Sequence, residues 1–218
     1  MSLLRPLIVC AGLVGLWQLL VWWSGVPPYL LPGPGLVITA WFTHAGLIAG
    51  HALVTIAEIL IGLALGTALG AASALCLAYF RTVRPWLMPL LVISQAIPVF
   101  ALAPLLVLWF GYGMASKVAM AVLIIFFPVT ASFFDGLRGT DPGWLDLGRT
   151  MNGTALTILR RIRLPAALPA FASGLRVATA VAPIGAVVGE WVGSSAGLGY
   201  LMLHANGRMQ IDLMFAAL

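Results

Sequence analysis

The sequence predicts an all-α fold, a polytopic bundle of membrane-crossing helices, and three observations carry that expectation. Apolar residues make up 62% of the 218 and charged residues only 8%, which leaves too little polar surface to cover a water-soluble domain. Five apolar runs are long enough to cross a bilayer. The basic residues sit at the ends of those runs and form no patch interleaved with aromatics. The net charge of +5 therefore points to anionic membrane lipids and not to nucleic acid. The expected organisation is one transmembrane domain over 1–218, with about five to six spans.

Leu7 to Trp23 is an apolar run of 17 residues and reads as the first span. Arg5 ahead of it imitates a secretory signal, but Trp17, Gln18, Trp22 and Trp23 stand where a cleavage site needs small residues. The prolines and glycines of GVPPYLLPGPG exclude helix until about Leu36, and Leu36 to Ile48 reads as a short helix along the membrane surface. The second span runs from about Leu53 to Phe80. Within it Gly62, Gly66 and Gly70 recur every four residues on one face, the spacing that lets another helix come close; a glycine hinge is the competing reading. Arg81 and Arg84 end this span.

The third span, Trp86 to Phe110, is interrupted at Pro98 and Pro104, where missing N–H groups free carbonyls that protein or water must satisfy. GYGMASK reads as a tight external turn, Val118 to Phe134 as the fourth span and Ala166 to Val192 as the fifth. SSAGLGY reads as a glycine-rich turn. Gln210 to Leu218 reads as the opening of a further helix, too short to cross, so the last helix of the bundle is expected to be incomplete.

One long polar stretch, DPGWLDLGRTMNGTALTILRRIRLP from Asp141 to Pro165, breaks the apolar second half. Asp141 can accept from free backbone N–H groups at a helix start, and Pro142 at the first helical position loses no bond. Asn152 and Gly153 both tolerate positive φ and end that helix; Thr154 can cap a second one. There Leu156, Leu159 and Ile162 recur at three-residue spacing with arginines beside them. On charge alone such a loop is a topology signal. With a cytoplasmic amino terminus, Arg5, Arg81, Arg84, Arg138, Arg149, Arg160, Arg161, Arg163 and Arg176 fall inside, against Lys117 and Arg208 outside, nine to two. This places the stretch in the cytoplasm.

The stretch resembles the cytoplasmic signature of bacterial ABC importer permeases, which runs E-A-A, three residues, G, nine residues, I-x-L-P. The acid falls on Asp146, the alanines on Leu147 and Gly148, the glycine on Asn152, and I-x-L-P on Ile162, Arg163, Leu164 and Pro165. Spacing is kept while several identities are not: Asp replaces Glu, Gly148 weakens the first helix, and the glycine has moved one place to Gly153. LLPGPGLV, LAPLLVLWFGYGMASK and VVGEWVGSSAGLGYLM extend the resemblance over most of the chain. It looks like the permeases for nitrate, sulfonate, taurine and the hydroxymethylpyrimidine precursor of thiamine. The run APIGAVVGEWVGSSAGLGYLMLHANGRMQIDLMFAAL looks most like the thiamine-pyrimidine members.

The resemblance implies a type I importer permease in a bacterial inner membrane. Its partners would be a second copy of the chain, two ATP-binding cassette subunits that hold ATP and Mg, and a periplasmic or lipid-anchored solute-binding protein. It also implies an ATPase-coupling region of Asp146, Gly148, Asn152, Gly153, Leu156, Leu159, Ile162, Leu164 and Pro165. In it Leu156, Leu159 and Ile162 give apolar contact, arginines line the rim, and Pro165 stops the coupling helix.

Other chemistry is not suggested. A P-loop needs a glycine-rich turn ending in Gly-Lys, and the only lysine, Lys117, follows a serine, so the chain is not its own ATPase. Cys10 and Cys76 read as small buried hydrophobes; His44, His51 and His204 read as scattered near the external face, and neither a metal site nor a cofactor is expected. Glu58 and Glu190 lie within apolar runs, and carboxylates there face a bundle interior or water. The candidate translocation path is Glu58, Pro98, Glu190 and Trp191, with Glu58 also readable as a helix-to-helix tie. Trp191 and Tyr200 suit either stacking on an aromatic ligand or interfacial anchoring. A proton-coupled secondary transporter would use Glu58 or Glu190 as its proton site, and a membrane scaffold would need neither; inverted repeats are not evident.

Overall fold

A computed structural model describes residues 4–80 and 82–218. Arg81, counted above among the arginines that follow the second span, lies outside the described residues. Every regular element described is helical. The contacts divide into two compact units, residues up to 55 with 195–218, and residues 56–194.

In the first unit, α1 (Leu4–Ser24) is 21 residues long, about 31 Å, and has no buried residue. Cys10 is exposed on it, contrary to the buried placement expected. α2 (Pro34–Thr43) opens on a proline in its first turn. It stops before Ile48, because His44 turns the chain and its ring Nδ1 donates to the Ala40 carbonyl (3.1 Å). The surface helix expected over Leu36 to Ile48 is therefore two elements, and Ile48 belongs to the long α3 (Ala45–Tyr79).

SSAGLGY is a turn only as far as Gly197. Tyr200 already lies in α10 (Leu198–Gly207), and α11 (Ile211–Ala217) follows. Gly197 has φ of +108°, a conformation that favours glycine. Its N–H donates to His51 Nδ1 (3.0 Å) and that of Leu198 to Thr55 Oγ1 (2.8 Å), so side chains from the start of α3 satisfy donors that the α10 terminus leaves free. Ile48, Leu201, Ala205, Leu213 and Ala217 form the unit's core, and Trp17 stacks on Phe215.

The second unit is built on three long helices, α3, α6 (Met114–Arg138) and α9 (Leu164–Gly193). Glycines set their spacing. A Cβ at Gly62 would lie 2.5 Å from Ala121 Cβ, one at Gly66 2.7 Å from Ile125 Cγ2, and one at Gly70 3.0 Å from the Phe126 carbonyl oxygen and from Val129. Residue numbers rise together along this contact, so α3 and α6 run parallel. Along α6 and α9 they run oppositely: Gly136 meets Ala167 and Ala170, Gly174 meets Ser132, and Gly189 meets Lys117.

Parallel neighbours require the chain to return between them. The return is α4 (Arg84–Ser94) and α5 (Val99–Phe110), bent by 100° at the break before Pro98. Pro104 does not interrupt this span as expected; it lies inside α5, which stays regular around it. Among the described residues, four helices and this bent pair are long and apolar enough to cross a bilayer. The three-helix arrangement gathers Arg84, Arg138 and the polar stretch at one end of the second unit and Lys117 at the other.

Candidate functional site

At the arginine end, Asp141 caps α7 (Pro142–Thr150) by accepting from the Gly143 N–H at 2.6 Å. α7 ends where Asn152 takes φ of +54°, in the left-handed region that asparagine tolerates better than most residues. Gly153 does not have positive φ; its role is close approach. Its N–H donates to the Gly148 carbonyl at 2.9 Å, and a Cβ would sit 2.7 Å from that oxygen. Gly148 is buried for a similar reason, with Ile162 Cδ1 occupying the space a side chain would need. Thr154 caps α8 (Ala155–Ile158) through the Thr157 N–H.

Two expectations fail here. Pro165 does not stop a separate coupling helix. α8 runs through a π-turn, Leu159–Arg163, directly into α9, and Pro165 sits in the first turn of α9. The wider turn, in which the Leu164 N–H reaches the Leu159 carbonyl, carries the helix past a residue that has no N–H to give. Leu159 does not contribute to an exposed apolar face. It is buried with Leu77, Phe134, Leu137 and Ala167, while Leu156 is exposed and Ile162 half-buried. Asp146 pairs with Arg149 at 2.6 Å, both largely exposed. Leu164 is half-buried.

At the opposite end, Met114 to Lys117 form the first turn of α6 rather than an external turn, and Lys117 is buried. Its Nζ donates to the Tyr112 and Gly113 carbonyls, the latter at 2.8 Å. Glu58 and Glu190, 2% and 1% exposed, are hydrogen-bonded through their carboxyls, and Lys117 lies close to both. α3, α6 and α9 each supply one of the three groups. Of the path candidates, Glu58 and Glu190 are buried and Pro98 at the bend and Trp191 are exposed.

In the first unit, the histidines expected to be scattered are brought together. His44, His51 and His204 line one cavity of about 400 Å³ with Tyr200 and Arg208, and the Tyr200 ring lies 4.6 Å from that of His204. Among the described residues, no group of three or more His, Cys, Asp and Glu side chains is placed to hold a metal ion.

Residues 62–218 match the family described as binding-protein-dependent transport system inner membrane component. The chain belongs to that family. It is 61% identical to a probable ABC transporter permease protein of Haemophilus influenzae over 99% of this chain and 88% of the relative. It is 43% identical to the formylaminopyrimidine transport permease protein ThiX of Halalkalibacterium halodurans, over 90% of this chain and 79% of the relative. It is 37% identical to the riboflavin transport system permease protein RibX of Chloroflexus aurantiacus, over 93% and 76%. The chain is an ABC importer permease that spans the membrane.

Two features of this permease escaped the sequence reading. Trp144, Leu147 and Met151 are 57, 61 and 76% exposed, so α7 turns large apolar groups outward. Their spacing of three and four along a short polar helix was the available signal. With Gly148, Ile162 and Pro165 they line a cleft of about 530 Å³. Ser173, Arg176, Thr179, Ala180 and Pro183 form an exposed stripe along α9. Its signal was a helical repeat of polar and small residues within an apolar run.

Proposed function

We propose that this permease pairs with a second copy of itself and with two ATP-binding cassette subunits, and that α7, α8 and the π-turn are the lever on which those subunits act. The observation that carries this is the exposed row Trp144, Leu147 and Met151. Large apolar side chains on a polar helix, outside the apolar spans, need a protein partner to cover them. Because α8 runs through the π-turn into α9, a push on α7 and α8 is delivered along a helix that packs against α6 over most of its length. ATP and Mg belong to the partner subunits, and no bond chemistry is assigned to this chain.

The arginine end is cytoplasmic in this reading, with the amino terminus inside and the protein in the bacterial inner membrane. The gathering of Arg84, Arg138, Arg149, Arg160, Arg161 and Arg163 at one end of the second unit supports it. The solute is delivered by a periplasmic or lipid-anchored binding protein, and we assign it as a pyrimidine precursor of thiamine, supported by the likeness to ThiX. An anionic solute of the nitrate, sulfonate or taurine kind is the second reading, favoured by Arg176. A cation exposed partway along a spanning helix needs water or an anion beside it. A proton-coupled carrier is disfavoured because the chain belongs to the binding-protein-dependent permease family.

The test is disulfide or bifunctional crosslinking from Leu147→Cys and Met151→Cys in inner-membrane vesicles that contain the ATPase subunit. Crosslinks to that subunit, changing in yield with ATP, are expected. Labelling of both cysteines by an impermeant thiol reagent from the external side would defeat the reading.

A further inference from the structure

The cavity lined by three histidines in the first unit has no part in the coupling assigned above, and its hydrogen bonds fix what it presents. His44 and His51 share one helix face, seven residues apart, since the His44 carbonyl accepts from the Ile48 N–H and leads into α3. The His44 ring donates through Nδ1 to the Ala40 carbonyl, so in the neutral ring the lone pair lies on Nε2. The His51 ring is the reverse. Its Nδ1 accepts from the Gly197 N–H, which puts the ring proton on Nε2. One histidine therefore offers an acceptor and the other a donor.

Two turns of helix separate the two by about 10 Å. An amino group and a ring nitrogen on opposite edges of one six-membered ring, each with its hydrogen bond, span about the same 10 Å. Beside them the Tyr200 ring lies 5.8 Å from that of His51 and 4.6 Å from that of His204, which makes a wall of aromatic faces for a flat ring. Charge and tautomer exclude other occupants. Among the described residues no carboxylate lines the cavity, and Arg208 does, so a cation is repelled. An anion would meet one exposed guanidinium, screened by water. A metal ion would lack His51, whose lone pair is occupied by the Gly197 N–H. At about 400 Å³ the cavity has the size of small-molecule sites. We propose that it binds an uncharged, planar nitrogen heterocycle, held between His44 and His51 and stacked on Tyr200. The site deepens the pyrimidine reading of the solute and rests on it for the identity of the ring.

The experiment measures ligand binding to the purified, intact permease in detergent by ligand-observed NMR. Hydroxymethylpyrimidine is the probe. The comparison compound, ortho-aminobenzyl alcohol, keeps the amino and hydroxymethyl groups on a ring without nitrogens, and taurine serves as the anion. The pyrimidine is expected to bind at one saturable site, the carbocycle about tenfold more weakly, and taurine not to compete. His44→Phe keeps an aromatic ring but removes the acceptor, and it should weaken pyrimidine binding about tenfold. Leu47→Trp, at an exposed position on the wall, fills the cavity while keeping every polar group, and it should weaken binding at least as much. This second variant guards against a His44 change that disturbs the fold.

Equal binding of the carbocycle would reduce the cavity to an apolar slot and overturn the proposal. Displacement by taurine would assign it to an anion at Arg208 and overturn it as well. So would unchanged pyrimidine binding in both variants, or no saturable binding to the wild type. Uptake by vesicles carrying the whole importer separates failure of the site from failure of the solute reading. Pyrimidine uptake at the wild-type rate in both variants overturns the site and leaves the solute standing. Saturable binding that both variants lose, with no pyrimidine uptake by the wild type, supports the site and overturns the solute.

Discussion

The two ends of the α3, α6 and α9 set handle polarity in opposite ways. At the lysine end, Glu58, Lys117 and Glu190 are almost fully buried and lie close together, with the two carboxyls hydrogen-bonded and the ammonium donating to the Tyr112 and Gly113 carbonyls. At the arginine end the Asp146–Arg149 ion pair is largely exposed, and large apolar side chains point outward. A buried network that ties three helices fixes their register. A surface with exposed tryptophan and leucine is unfinished until something covers it. The difference teaches that one end packs its polar groups between helices while the other leaves apolar side chains uncovered, the feature on which the proposed docking rests.

The strongest way to break this comparison is to remove the cation at the holding end. Lys117→Met strands two carboxyls in a site sealed from water, and loss of one partner from a buried charge group costs about 3–5 kcal/mol. The expected result is a large drop in the unfolding temperature of the detergent-purified permease, partly restored by adding Glu58→Gln. An unchanged melt would show that the network does not hold the helices.

Next in size is the glycine seam. A side chain at Gly66 would put its Cβ 2.7 Å from Ile125 Cγ2 and 2.9 Å from Ile125 Cβ, so Gly66→Leu overpacks the α3 and α6 contact. About 1–3 kcal/mol of destabilisation is expected, or more if the backbones cannot part, seen as reduced yield and a lowered melt.

The arginine end gives a paired contrast. Leu159→Asp buries a charge in the core beside Phe134 and Leu137 and should destabilise the fold, whereas Leu147→Asp, on the exposed face of α7, should leave the melt within about 0.5 kcal/mol. Leu147→Asp should nevertheless abolish ATP-dependent uptake and copurification with the ATPase subunit. Equal melts for the two variants would erase the distinction between inward and outward leucines.

What could be read in advance follows the same division. The spans were legible because length and apolarity are properties of single segments, and Gly62, Gly66 and Gly70 marked a close approach by local spacing. The signature's spacing likewise located the break between α7 and α8. What could not be read depended on contacts between distant segments. Lys117 reads as an external lysine until α6 brings it beside Glu58 and Glu190. The three histidines look scattered until α10 folds back on the start of α3. Pro165 reads as a stop because a proline ordinarily ends a regular turn, and the π-turn that carries the helix past it has no signal in residue types. Leu159 shares the spacing of Leu156 and Ile162, yet that same widening of the turn leaves the three facing different surroundings.

The smallest effect expected is at Asp146, and it sharpens the comparison most. Its ion pair with Arg149 joins side chains 67 and 57% exposed, so water screens it, and such pairs contribute about 0–1 kcal/mol. A double-mutant cycle with Asp146→Ala and Arg149→Ala should therefore return a coupling free energy below about 1 kcal/mol in the melt of the isolated permease. The same cycle read on ATPase affinity should return a larger coupling, because a partner seated over Trp144 and Leu147 would exclude the water that now screens the pair. If both readouts give the same small value, the pair stays solvated in the complex and the partner does not cover this face of α7.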